Sequence, residues 1–156
     1  LGDMNVEAFH ISHDAADPVA YRIEAGGKSA AVATDMGCFN RYTVNHLRDL
    51  DVLLIEANHD ENMLQAGPYP YPLKRRIMGE KGHLSNTASA MLLSQLLHDN
   101  MKTVYLGHLS KTNNYPDLAY ATIISEMALD PGCPYKEGDI PIYVASREHP
   151  MELLKV

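Results

Sequence analysis

The chain has 156 residues, 46% of them hydrophobic, and a formal net charge of −7. That length fits one globular domain with a real core and is short for two, while the acidic balance speaks against a general polyanion-binding surface and leaves room for a local basic patch or for metal ions in an acidic pocket. The two cysteines, Cys38 and Cys133, stand far apart with no Cys-x-x-Cys spacing, so neither a disulfide framework nor a thiolate zinc site is expected and a reducing cytoplasm is the default compartment.

No apolar run approaches the length of a membrane span, and Leu1 to Phe9 lack the basic start and apolar stretch of a signal peptide. A first strand beginning almost at once after Leu1 suggests that sequence upstream has been removed. Asn5 to Ser12 reads as that strand, with Phe9 and Ile11 on one face and His10 and Ser12 on the other, ending at His13-Asp14. Pro18 to Ala25 reads as a second strand, Gly26-Gly27 as a hairpin turn, and Ser29 to Thr34 as a third strand stopping at Asp35-Met36-Gly37.

Tyr42 to Leu50 is predicted as a short helix presenting Val44, Leu47 and Arg48 on one face. Asp51 to Ala57 is an apolar run of strand length, followed by Asn58-His59-Asp60, and its two-sided apolarity suits a strand buried in a layered α/β structure. His59 or Asp60 is expected to cap a turn over Glu61 to Ala66. The prolines of Gly67-Pro68-Tyr69-Pro70-Tyr71-Pro72 predict an ordered loop or lid rather than helix or central strand. The densest positive charge follows at Lys74-Arg75-Arg76.

Ser85 or Asn86 is placed to cap the next helix, with a stripe through Ala88, Met91, Leu92, Leu96 and Leu97. Lys102 to Leu106 reads as a strand. Pro116 suits a first helical turn ahead of Leu118, Ile123, Ile124 and Met127. Pro131 to Gly138 is a turn-rich break, and Ile140 to Ala145 is a last strand. No repeat, low-complexity tract or composition shift marks a second domain, so residues 1–156 are expected to form one domain portion.

Gly82-His83-Leu84-Ser85 recurs as Gly107-His108-Leu109-Ser110, each histidine behind a glycine that permits close backbone approach. His13, Asp35, Glu56, His59, His83 and His108 all stand at or just after element ends. Strand ends of an open α/β sheet gather on one edge, and imidazole and carboxylate are the donors that zinc, manganese and iron accept. No local pair has ligand spacing such as His-x-x-x-His, so the pattern alone leaves a metal site and ordinary turn-forming polar residues both open.

The segment His13-Asp14-Ala15-Ala16-Asp17-Pro18-Val19-Ala20-Tyr21-Arg22-Ile23 resembles a metal-ligand motif of the metallo-β-lactamase-fold nucleases, such as ribonuclease Z. Thr34-Asp35-Met36-Gly37 is similar to their bridging-aspartate motif, Glu56-Ala57 to the glutamate strand, Gly82-His83-Leu84-Ser85 to the histidine-bearing helix start, and His108-Leu109-Ser110 to the final metal histidine. Ile55-Glu56-Ala57-Asn58-His59-Asp60, the Gly-Pro-Tyr-Pro loop with Leu73-Lys74-Arg75-Arg76, and Asn113-Asn114-Tyr115-Pro116 make the YycJ-like (WalJ) subgroup the nearest match. The family's first metal motif, His-x-His-x-Asp-His, is absent, so the chain looks like the C-terminal part of an αββα sandwich.

The resemblance implies two divalent metal ions, zinc or manganese with iron as an option, and metal-activated water attacking a phosphodiester. It implies His13, Asp35 and His108 as metal ligands, Asp35 bridging, and His83 as a substrate- or transition-state-stabilising group. Glu56 takes an outer-shell role in the catalytic set, and Lys74, Arg75 and Arg76 hold a nucleic-acid backbone. DNA is favoured over RNA, an exonuclease is the expected activity, and a homo-oligomer is open. A metal-free half-domain acting in interaction or assembly is the alternative. On this reading the identical spelling around His83 and His108 is incidental.

Overall fold

The protein is described here from a computed structural model covering residues 2–156. Six strands form one mixed sheet in chain order: β1 (Asn5–His10), β2 (Val19–Ala25), β3 (Lys28–Ala33), β4 (Val52–Glu56), β5 (Thr103–Gly107) and β6 (Ile142–Val144). The β1–β2 and β2–β3 pairs are antiparallel and the remaining three are parallel. Two antiparallel steps return β3 to the direction of β1, so β1, β3, β4, β5 and β6 all end on one edge. Glu56 is the last residue of β4, and the segments following β1, β3 and β5 carry His13, Asp35 and His108.

The two sheet faces differ because residue type alternates with the pleat. One face carries Phe9, Ala20, Ala31, Leu53 and Val104, all buried. They form one core with Val44 and Leu47 of α1 (Arg41–Leu47), Leu92, Leu93 and Leu96 of α4 (Asn86–Leu96), and Ile123 and Met127 of α5 (Pro116–Leu129). Across the other face runs the register Tyr21, Val32, Leu54, Tyr105, Tyr143, with Tyr21, Val32 and Tyr143 exposed. The molecule is thus one sheet layer under one helical layer, which is half of the expected four-layer α/β sandwich.

Several expected elements are trimmed or displaced. The helix predicted to reach Leu50 stops at Leu47, because Arg48 is extended and Asp49 adopts φ +56°; Arg22 then donates to the freed carbonyls of His46 and Arg48 at 3.0 and 2.8 Å. The expected turn over residues 61–66 is helix α2 (Glu61–Ala66), capped by Asp60, whose carboxylate accepts from the Met63 amide at 2.7 Å. The stripe on α4 is rotated: Met91 is exposed, while Ser89, Ala90 and Leu93 face the core.

The main correction concerns the proline run. Tyr71 and Pro72 are not loop; they open helix α3 (Tyr71–Ile77), with Pro70 at its N-cap and Pro72 in the first turn, where a missing N–H breaks no intrahelical bond. Lys74, Arg75 and Arg76 therefore lie on a helix. Among the described residues no helix is long and apolar enough to cross a membrane.

Candidate metal centre

Three loops assemble at the carboxyl edge of the sheet. The Ser12 hydroxyl donates to the Glu80 carbonyl at 2.7 Å, and the Gly37 amide donates to the Ser12 carbonyl at 2.8 Å. A Cβ on Gly37 would lie 2.4 Å from the Gly82 nitrogen, and one on Gly82 would lie 2.1 Å from the Ile77 carbonyl oxygen. Backbone atoms cannot yield at such distances, so only glycine lets the segments after β1 and β3 close on the segment before His83.

Glu56 sits at the floor of this assembly, fully buried. One carboxylate oxygen accepts from the Met36 amide at 2.9 Å and the Leu84 amide at 3.3 Å. The other accepts from His83 Nδ1 at 2.8 Å and His108 Nδ1 at 2.6 Å. Burial pushes the Glu56 carboxyl up, but the bonds from His108, His83 and Met36 outweigh it and leave the group below its ordinary range, hence charged. The same bond raises His108 above the usual histidine value, against the opposing effect of its own burial.

A carboxylate offers no proton, so both Nδ1 atoms carry hydrogen, and in the neutral rings both Nε2 atoms present a lone pair. His13 is fixed in the same sense: its Nδ1 lies 2.9 Å from the Gly82 carbonyl, which can only accept. Asp35 stands between the rings. Its Oδ1 is 3.8 Å from His13 Nε2 and 3.6 Å from His108 Nε2, while its Oδ2 accepts from the Thr34 hydroxyl at 3.1 Å. His83 lies between His13 and His108, with ring centroids 5.0 and 5.2 Å away.

Asp35 and His108 have φ of +59° and +56°, a left-handed conformation that disfavours side chains with a Cβ by roughly 1–2 kcal/mol per residue. The His108 carbonyl is tied down by Asn58 Nδ2 at 2.9 Å. Strain held in place by neighbouring bonds, at two residues of one acidic-imidazole cluster, is the pattern of a preorganised site.

The donor set suits divalent metal ions. His13, Asp35 and His83 offer ligand atoms within 4.8 Å of one another, as do Glu56, His83 and His108. In the second group the atoms that meet are the Nδ1 hydrogens on Glu56, so Glu56 orients the rings, and the outward Nε2 atoms with Asp35 are the groups that could hold a metal ion. A ligating histidine whose other nitrogen donates to a carboxylate or carbonyl has this arrangement.

Of the predicted residues, His13, Asp35, Glu56, His83 and His108 thus converge. Among the described residues His59 belongs to neither group and its Nδ1 has no hydrogen-bond partner; the residue is buried, and burial holds its pKa down. The three cations of α3 separate. Arg76 forms a two-point pair with Asp14 and lines a cavity of about 1230 Å³ that also reaches His83 and His108. Lys74 donates to the Gln65 carbonyl at 2.6 Å, and Arg75 lies 6.0 Å over the Tyr71 ring. Sequence reasoning passed over Asp14, whose Oδ1 is 3.6 Å from His13 Nε2 and whose carboxyl Arg76 holds down to about 2. Its only signal was adjacency to His13. It also passed over Asn58, which nothing in the local pattern separates from a turn residue.

No family model matches the chain. The chain is 41% identical over 128 residues to the exodeoxyribonuclease WalJ of Streptococcus pneumoniae (serotype 2 strain D39), covering 82% of this chain and 48% of that protein. It is 36% identical over 123 residues to the exodeoxyribonuclease YycJ of Bacillus anthracis, covering 79% and 47%. The chain spans about half the length of the curated relatives it matches. Its fold superposes on the metallo-β-lactamase fold protein YhfI of Bacillus subtilis with a TM-score of 0.61 at 12% identity, covering 93% of this chain and 47% of that one. Zn2+-bound PqqB of Methylobacterium extorquens gives 0.60 at 17%, covering 100% and 52%.

Proposed function

We propose, for a chain that has the metallo-β-lactamase fold and is related to the WalJ and YycJ exodeoxyribonucleases, that it supplies part of the active site of a metal-dependent phosphodiester hydrolase, a cytoplasmic DNA exonuclease. On this reading the 156 residues are one portion of a single catalytic domain, and further metal donors come from sequence outside them. The observation that carries the reading is the placement of the Asp35 carboxylate between two outward Nε2 atoms, 3.8 and 3.6 Å away, on rings whose Nδ1 atoms are already committed.

His13, Asp35 and His108 are the proposed ligands of two divalent ions, zinc or manganese with iron as a third option, and Asp35 is the shared one. Such ions lower the pKa of bound water toward about 7 and stabilise charge on the phosphate oxygens. The chain's own residues do the rest. Glu56 fixes the tautomer and aim of His83 and His108, and its charge balances an imidazolium at His83. His83 lines the cavity and, when protonated, can donate to a phosphate oxygen or to the departing alkoxide. Arg76, which lines the cavity, steadies the nucleic-acid backbone, while Lys74 and Arg75 stand apart from it.

The test is metal analysis of the full-length protein together with cleavage assays on DNA and RNA, with Asp35→Ala as the variant. The expected result is bound metal, DNA cleavage, and loss of both in the variant. A full-length protein that binds no metal and cleaves neither nucleic acid refutes the reading, and near-normal turnover by Asp35→Ala refutes the bridging role.

A further inference from the structure

The cavity of about 1230 Å³ beside His83 and His108 is larger than the roughly 300–1,000 Å³ that houses one small molecule, and two tyrosines on its wall are braced in an unusual way. Tyr69 stands between Pro68 and Pro70, and Tyr115 precedes Pro116, which holds it extended at φ −154° and ψ 158°. Among the described residues neither ring stacks on another ring and neither hydroxyl makes a hydrogen bond, so neither kind of contact accounts for them; Tyr69 is half-buried. Tyr115 is 51% exposed.

Their loops are locked together. A Cβ on Gly67, at the head of the Tyr69 loop, would lie 2.7 Å from the Asn113 side-chain oxygen and 2.6 Å from the Met63 carbonyl. Asn114 is buried; its Nδ2 donates to the Ala57 carbonyl at 2.9 Å and to Asn86 at 2.8 Å, while its Oδ1 accepts from the Tyr115 amide at 3.0 Å. Both rings are thus held in the cavity wall by a rigid frame that runs back to the end of β4, immediately beside Glu56. Lys111, exposed and with no ion pair among the described residues, lines the same cavity.

Rigid, idle aromatic rings beside an unpaired cation fit a strand of nucleotides whose bases are out of the duplex. Every base has a π-face, and stacking on tyrosine needs no particular sequence. The acidic chain also has reason to grip bases, since its −7 net charge opposes attraction of the phosphates. We propose that Tyr69 and Tyr115 form a base-stacking subsite that holds unpaired nucleotides of a single strand next to the His83–His108 site, with Lys111 on a neighbouring phosphate. The proposal rests on the reading of the substrate as a nucleic acid.

Binding and cleavage separate the two. In full-length protein treated with chelator, a single-stranded oligonucleotide carrying 2-aminopurine reports stacking by quenching. Tyr69→Leu and Tyr115→Leu should each weaken binding on the order of tenfold and relieve the quench, with the Phe variants retaining both. Lys111→Ala should flatten the salt dependence of log K by about 0.7. Leu variants that bind as wild type, or Phe variants as weak as the Leu ones, overturn the subsite. In metal-loaded protein the Leu variants should lower kcat/KM on the oligonucleotide about tenfold more than on bis(4-nitrophenyl) phosphate, which has no bases. If wild type hydrolyses neither compound while tyrosine-dependent binding persists, the hydrolase reading fails and the stacking subsite stands.

Discussion

Replacing Glu56 with glutamine removes one charge and keeps the shape, and its consequences follow from counting donors. The carboxylate accepts four N–H groups, two from the backbone of Met36 and Leu84 and two from the rings of His83 and His108. An amide has one oxygen, so it can serve one pair and must turn its NH2 group on the other. Facing the NH2 group toward the backbone pair leaves two buried amides unsatisfied, at about 1–3 kcal/mol each. Facing it toward the rings avoids that, because a neutral imidazole can move its proton to Nε2 and accept at Nδ1. The second orientation therefore wins, and the lone pair that pointed at Asp35 is lost. Charge-assisted bonds contribute roughly 1.5–3 kcal/mol each and neutral ones roughly 0.5–1.5. Four such exchanges, offset by releasing a buried charge, come to about 2–3 kcal/mol of lost stability. The expected outcome for Glu56→Gln is a folded protein whose metal affinity falls about 10–100-fold, with imidazole 15N shifts that place the proton of His108 on Nε2. Wild-type metal affinity with the Nδ1–H tautomer intact refutes the reasoning.

The acid limb of metal-free protein is set in part by Glu56, held below its ordinary value of 4.5. Its contribution is fully present above about pH 4.5 and is lost as pH falls through the lowered folded value, while buried His59, held below 6.5, adds an earlier loss as pH falls below 6.5, so the urea midpoint should drop in two stages. His108, raised above 6.5, contributes below pH 6.5 and loses that contribution as pH rises through its folded value; a midpoint climbing steadily from about pH 7 to 9 contradicts this. Gly82→Ala places a Cβ against two carbonyl oxygens, those of Ile77 at 2.1 Å and Arg76 at 2.3 Å, and should destabilise by about 3 kcal/mol or more in denaturant titration. Asp35→Gly relieves a left-handed φ worth roughly 1–2 kcal/mol against about 0.5–1 kcal/mol of added chain entropy, so metal-free protein should melt no lower than wild type while metal binding is lost; a marked fall in Tm counts against strain at this position. The 156-residue chain, expressed alone, should self-associate and bind a hydrophobic dye through Tyr21, Val32 and Tyr143. Light scattering should show Val32→Lys reducing both, and a monomeric, dye-silent wild type counters that expectation.

Strand ends were legible because alternating or continuous apolar runs break off at polar residues, and one rule about sheet edges then collects those residues. That is why His13, Asp35, Glu56 and His108 could be named together before any geometry was known. Helix α3 was not legible, since Pro70 and Pro72 read as breakers wherever the register of a helix start is unknown, and the same two residues are harmless at an N-cap and a first turn. The partition of the basic cluster was equally hidden: Arg76 meets Asp14 across 62 positions, and no local pattern encodes such a contact. Local reading also missed the rotation of α4, because a helix packed against α5 and α1 while sharing the core under the sheet buries more than one stripe.

The two Gly-His-Leu-Ser segments show where spelling and geometry part. Gly82 is required by the backbone of Ile77 and Arg76, whereas a Cβ added at Gly107 would meet only the Leu54 side chain, at 3.2 Å. His108 has a left-handed backbone and His83 does not. Yet both Nδ1 atoms end on the same oxygen of Glu56, at 2.8 and 2.6 Å, so the repeated histidines are not independent. Removing either ring strengthens the hold of that oxygen on the other, since a shared acceptor divides its charge between two donors. Consequently His83→Ala should further raise the pKa of His108, and a double-mutant cycle between the two should show coupling that vanishes in the Glu56→Gln background. Additive effects of His83→Ala and His108→Ala in the parent would mean that the two rings are oriented by something other than Glu56.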